Sequence, residues 1–346
     1  MKTSRRYVSS ALLLLTMISG CTEPQVKLSH TDLSEQLKQL NWFSYSTVLR
    51  DGDQLQTESG LELPFTETYL KKRHDLLLRA DLDNFVETAA QEAQYLSIQQ
   101  RYPERFLPWP VHLNLPVIAQ AHQVESSQMD AWYGYVEARL NEARESKIVL
   151  NRVERQQLLD YLTPEITTQS KAAQRLAEYL ASYRVRSSLG MYQLPNGKEW
   201  YQSKLNFYSG SVKPPEALLN KLQSLTSEYG EGTIDRVNFS LNQLLVHQLL
   251  AACDTRAGLN WRDGFVSLQQ TASQCEQTLT NTERLFAVVM MEVDLGVHYF
   301  AWSQKQALLA LQSRLALNED QAFVVLKDIL FFPATSFALL SQITSA

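Results

Sequence analysis

Asp294 and His298 stand four residues apart in an apolar run. On a helix that spacing puts both side chains on one face. A carboxylate that orients an imidazole makes an acid or base near neutral pH. The same spacing equally makes a buried hydrogen-bonded pair that positions the turn before Trp302. Neither reading supplies a nucleophile, and no G-x-S-x-G elbow occurs in the chain. The six histidines are His30, His74, His112, His122, His247 and His298. None is followed by Glu, and no two are close enough for a helical metal pair. Glu199, Trp200 and Tyr201 follow a Pro195–Gly197 turn. They either line a cleft, with Tyr201 as a polar contact, or anchor the loop to the body. Cys253 and Cys275 lack the C-x-x-C spacing of a metal pair.

The elements that must position these residues read as helices almost throughout. Thr31 to Glu35 offers a cap followed by an acid, and Leu33, Leu37 and Leu40 recur at helical spacing. A second helix follows Pro64, and a third covers about 81–101, with Phe85, Ala89, Ala93 and Leu96 on one face. Tyr102 to Pro116 is proline-rich around Trp109, which forbids regular helix. Periodicity then predicts helices over about 117–145, 147–162 and 164–188. Gly190, Pro195, Asn196 and Gly197 mark a loop before a helix through Trp200, Leu205 and Tyr208. Pro214 and Pro215 open another helix. Further helices fit 235–253, 262–300, 303–317 and 318–331. No period-two run, phosphate loop or repeat stands out, so the expected fold is all-α, with one helical body over 31–346. The apolar stretch Ala322–Ile343 is interrupted by Lys327, Asp328 and Pro333 and reads as core.

The N-terminus carries a location signal. Lys2, Arg5 and Arg6 precede a short apolar core from Val8 to Ile18, then Ser19-Gly20-Cys21. Basic start, apolar core and small residues describe a signal peptide over 1–20. The segment ending in Cys21 resembles the lipobox of bacterial lipoproteins. That resemblance implies lipidation of Cys21, with residues 21–30 as the lipidated end and tether. Thr22 in place of Asp favours the outer membrane, again by resemblance. The partner expected here is the membrane, through acyl chains on Cys21. Loss of three basic residues with the leader moves the formal charge from −5 to −8. That balance excludes nucleic acid as a partner. In an oxidising compartment Cys253 and Cys275 are expected to pair, the alternative being two reduced, buried thiols. A bridge closing roughly twenty residues contributes on the order of 3 kcal/mol.

Two segments carry a further resemblance. The first is Leu194-Pro195-Asn196-Gly197-Lys198-Glu199-Trp200-Tyr201, followed by Leu205 and Lys213-Pro214-Pro215-Glu216. The second runs from Glu292-Val293-Asp294-Leu295-Gly296-Val297-His298 through Trp302-Ser303 to Gln306-Ala307. Over about 190–340 the chain resembles the bacterial family called domain of unknown function 885, whose stretches read LP-x-G-x-x-Y-Y and VDTG-x-H-x-x-x-WS-x-x-QA. The resemblance implies a helical, zinc-peptidase-like fold. Such members bind zinc through an H-E-x-x-x-G-H motif and a later Glu, leaving a position for water.

This chain departs at the metal. The nearest match to that motif is His247-Gln248 through Cys253, in which Gln replaces the base and Cys the second His. Gln cannot take a proton as a carboxylate does. Asp263 is the nearest substitute for the later Glu. Leu218, Phe337, Ala287 and Met290 stand where the family carries polar groups. The expected product is therefore a non-catalytic, lipid-anchored relative with no cofactor and no metal. It would bind a peptide, a ligand or an envelope partner in a remnant cleft formed by Glu199, Tyr201, His247, Asp263, Asp294, His298 and Trp302. A divergent hydrolase, with zinc held in an unusual way around His247, Asp263, His298 and Glu199, is the alternative. A structural accessory lipoprotein is a third reading. In the first reading the Cys253–Cys275 bridge braces the shortened metal region.

Overall fold

Four helix starts carry an oxygen-bearing cap followed three residues later by Glu or Gln. Asn151 with Glu154, Thr280 with Glu283, Ser303 with Gln306 and Asn318 with Gln321 each close both bonds of a capping box. These bonds satisfy N–H groups that a helix start leaves open.

The computed structural model describes residues 26–40, 67–101, 126–230 and 279–344. The fold is all-α: among the described residues lie thirteen α-helices and no strand. They are α1 (His30–Leu40), α2 (Glu67–Leu78), α3 (Glu87–Arg101), α4 (Ser126–Glu145), α5 (Arg152–Tyr161), α6 (Pro164–Gln169) and α7 (Lys171–Ser182). Then come α8 (Gly197–Ser209), α9 (Pro215–Gly230), α10 (Asn281–His298), α11 (Gln304–Leu315), α12 (Glu319–Phe331) and α13 (Leu340–Thr344). Short 3-10 turns occupy Leu82–Asn84, Met191–Gln193 and Thr335–Leu339.

Several boundaries differ from the sequence expectation, each for a local reason. The helix expected over 164–188 is two helices, because Ser170 is extended and its hydroxyl caps Ala173 N–H at 3.0 Å. The helix expected from residue 147 starts at Arg152, because Asn151 pairs in extended form with Arg186. The helix expected from 81 starts at Glu87, after the 3-10 turn. α10 starts at Asn281 rather than reaching back to 262, because Thr280 caps it. Ser29, not Thr31, caps α1, accepting from Asp32 N–H at 3.2 Å.

α10 is the centre of the larger core. Every residue from Leu285 to His298 is buried, as expected of a helix apolar nearly all round. α9 and α11 pack along it, and α12 and the 335–339 turn close its end. A smaller core gathers Leu28, Leu33, Leu37, Ala93 and Leu96. α3 serves both cores, since Tyr95 faces the larger one. Residues 322–343 bend by 91° between α12 and the helical segment that follows, and most of their apolar side chains are buried. Among the described residues no single helix is long and apolar enough to cross a membrane.

Candidate functional site

The last turns of α10 hold two deeply buried titratable groups. Asp294 and His298 are each 1% exposed, and Tyr201 of α8 is fully buried. Tyr201 Oη donates to Asp294 Oδ1 at 2.6 Å, and the Ala334 N–H donates to Oδ2 at 2.9 Å. The Met191 N–H donates to His298 Nδ1 at 3.3 Å. That fixes the proton on Nε2, which donates to the Ile329 carbonyl at 3.1 Å. The Tyr201 and His298 rings stack, with centroids 5.4 Å apart and planes 12° from parallel. Asp294 and His298 thus share a face, as their spacing requires, but each is held by a different part of the chain.

Close backbone approach makes this arrangement possible. A Cβ on Gly190 would lie 1.8 Å from the Val297 carbonyl oxygen. A Cβ on Gly296 would lie 2.2 Å from the Trp302 ring. Trp302 therefore covers α10 from outside, and its N–H donates to the Gly296 carbonyl at 2.8 Å.

Burial dominates the electrostatics. It raises the Asp294 carboxyl to about 7, against the pull of Tyr201, Ala334 and Lys204. It lowers the His298 imidazole to about 3, with the Ile329 bond opposing. It lowers the Lys204 ammonium to about 8, with Asp294 opposing. Lys204 keeps partial solvent contact and donates to Tyr95 Oη at 3.1 Å. The Tyr201 phenol is pushed well above its usual value, by burial first and Asp294 second. At neutral pH His298 is neutral and both ring nitrogens are engaged, which leaves it no proton to exchange with a ligand.

An open cleft of about 480 Å³ lies on the outer side of α8. α3 contributes Gln94, Tyr95 and Ile98, and α8 contributes Lys198, Glu199, Gln202, Ser203, Asn206 and Phe207. Val212 and Tyr299 complete the lining. Tyr95 and Phe207 stack at 4.3 Å. Lys198 Nζ sits 4.5 Å from the Tyr299 ring centre, a cation–π distance. Gln202 Nε2 donates to Asn206 Oδ1 at 2.7 Å and to the Lys213 carbonyl at 3.2 Å. The Tyr299 phenol is raised by burial, then by Glu216 and Glu199.

Of the residues expected in a cleft, Glu199 lines it. Tyr201, Asp294 and His298 lie in the core behind it, and Trp302 packs on Gly296. Cys21, His247, Cys253, Asp263 and Cys275 lie outside the described residues. Leu218, Phe337, Ala287 and Met290 are core. Among the described residues no three His, Cys, Asp or Glu side chains gather as a metal site. No family model, curated protein or solved structure matches the chain. The likeness to domain of unknown function 885 rests on the residues quoted for it.

Sequence reasoning missed Lys204 and the α3 wall. Gln94, Tyr95 and Ile98 lie next to the Ala89–Ala93–Leu96 stripe, so their place beside a buried face was readable. That this place faced α8 was not.

Proposed function

We propose that the chain is a lipid-anchored, periplasm-facing binding module of a bacterial envelope, a non-catalytic relative of domain of unknown function 885. Its ligand site is the cleft between α3 and α8. One contrast supports this reading. The groups with the sharpest chemistry, Asp294, His298 and Tyr201, are closed on internal partners. The amides on the cleft are open: among the described residues Gln202 Oε1 and Asn206 Nδ2 have no partner, and both belong to lining residues. An acceptor and a donor beside the aromatic Tyr95–Phe207 pair suit a ligand with amide groups next to an apolar side chain, such as a short peptide. Lys198 and Glu199 give the rim both charges.

The test is equilibrium binding of a short-peptide library to the full chain purified in detergent without chelator. Selected peptides should bind about tenfold more weakly to Gln202→Ala and to Asn206→Ala, the size of one lost hydrogen bond. Unchanged affinity in both variants would remove the cleft from the reading. Stoichiometric zinc, lost on His247→Ala and accompanied by peptide cleavage, would replace the reading with the hydrolase.

A further inference from the structure

Among the described residues, exposed large apolar side chains are concentrated between Val26 and Val86. Val26, Leu78, Leu82 and Val86 are 77%, 68%, 47% and 65% exposed. Among the described residues the other two large exposed apolar side chains are Val212, at the cleft, and Leu309, on α11. The backbone draws Val26 to the end of α2, and Leu82 and Val86 follow Leu78 within eight residues of sequence. Leu28 N–H donates to the Arg79 carbonyl at 2.7 Å, and Asp81 N–H donates to the Leu28 carbonyl at 3.0 Å. Arg79 Nε donates to the Val26 carbonyl at 3.3 Å. The segment leaving the N-terminus is therefore pinned to the end of α2, where Leu78 and then Leu82 follow.

Val26 is five residues from Cys21. Five residues span at most about 18 Å fully extended. An acyl chain on Cys21 lies in the bilayer, so the exposed apolar residues cannot stand far from it. We propose that Val26, Leu78, Leu82 and Val86 form a foot that rests on the lipid surface and fixes how the helical body sits on it. The inference rests on lipidation of Cys21. Neighbouring charges point to apolar rather than electrostatic seating. Lys27 pairs with Asp81 at 3.0 Å and also feels Asp83, and Arg79 Nε is turned to the Val26 carbonyl, so these two cations are engaged within the protein rather than presented to anionic lipid.

The experiment uses the full lipidated chain in phosphatidylethanolamine–phosphatidylglycerol vesicles. A polarity-sensitive fluorophore is placed at Leu78→Cys or, as the control, at Leu309→Cys. The unsubstituted chain reports labelling of the other cysteines. Flotation first shows whether the chain is anchored. The Leu78 label should then be shifted to the blue, with an iodide quenching constant roughly threefold or more below that of the Leu309 label. The difference should survive a change in the phosphatidylglycerol fraction. Leu78→Asp combined with Leu82→Asp should leave flotation intact while exposing a label at Val86→Cys. A chain that floats but is quenched equally at both sites overturns the foot and leaves the anchor standing. A chain that does not float overturns both. Shielding of the Leu78 label in detergent as a dimer, without vesicles, would assign the surface to a second copy and overturn the lipid contact.

Discussion

Asp294→Asn should make the protein more sensitive to acid, and the size of the effect follows from two buried groups with opposite linkage. The Asp294 carboxyl titrates near 7 when folded, against 3.8 for an ordinary carboxyl. Its folded form holds the proton more tightly. Its contribution is therefore fully present below 3.8 and is lost as pH rises through 7. His298 behaves in the opposite sense. Its imidazole titrates near 3 when folded, against an ordinary 6.5. Its contribution is fully present above 6.5 and is lost as pH falls toward 3. Each group changes stability by about 1.4 kcal/mol per pH unit in its window. Between about pH 4 and 6.5 the two slopes cancel. Replacing Asp294 by Asn removes one slope and leaves the other.

The difference in unfolding free energy between variant and wild type isolates the effect, because titrating groups that do not feel Asp294 subtract out; Lys204 does feel it, but titrates near 8, at the edge of the range. Going from pH 8 to pH 4, the variant should lose about 4 kcal/mol relative to wild type, the ceiling for a fully solvated unfolded carboxyl. Urea denaturation read by far-UV circular dichroism at four or five pH values measures it. Asn can still accept from the Ala334 N–H, so the variant retains a fold to measure. A difference that stays constant from pH 4 to 8 would refute the buried-carboxyl reasoning. A difference with the opposite slope would mean that the Tyr201 and Ala334 bonds outweigh burial.

Three other substitutions probe the same packing by urea denaturation. Gly296→Ala should cost about 1–3 kcal/mol by overpacking, because its Cβ would meet the Trp302 ring at 2.2 Å; Trp302→Ala in the same chain should recover part of that loss, and full additivity would argue against the contact. Arg314→Met should cost about 3–5 kcal/mol, since it strands Glu292, which is 0% exposed and among the described residues otherwise has only Gln223 at 3.3 Å; Glu292→Gln should cost less, because Arg314 can reach water. Ala316→Gly should raise stability by about 0.5–1 kcal/mol, because Ala316 caps α11 with φ 51° and its side chain is exposed; an unchanged or lower midpoint would count against strain there.

Helical periodicity made the architecture legible. The apolar stripes at Leu33–Leu37–Leu40 and Ala173–Leu176–Leu180 needed no tertiary information, and neither did the helix starts expected at 303 and 318. The break at Ser170 was harder, since a serine inside a periodic run is a weak signal until its hydroxyl is seen to cap Ala173. The shared face of Asp294 and His298 was also readable. Their partners were not: Tyr201 lies 93 residues from Asp294 and Met191 lies 107 from His298. No local pattern encodes such pairings. Tyr201 drew notice through its motif, which carries no record of which way the side chain points. The Ala334 amide had no signal at all, because a backbone N–H in a left-handed turn looks like any other in a sequence.

The buried cluster and the open cleft are two faces of one helix. Tyr201 and Gln202 are adjacent on α8, so their side chains leave the axis about 100° apart. One enters the core, and the other lines the cleft. Apolar packing alone is non-directional and would tolerate a rotation of α8 about its axis. The 2.6 Å bond to Asp294 and the ring stack on His298 do not, because hydrogen bonds weaken steeply off axis. Asp294 is fixed in turn by Ala334, and His298 by Met191 and Ile329. Four other segments of chain thus agree on a single setting of α8, and that setting presents Lys198, Gln202 and Asn206 at four-residue steps to the α3 wall. Steps of about 6 Å along a helix lie close to the 6.6–6.8 Å between alternate residues of an extended strand. Polar groups that look catalytic in the sequence therefore work at a distance from the cleft: they hold Lys198, Gln202 and Asn206 in their row along it.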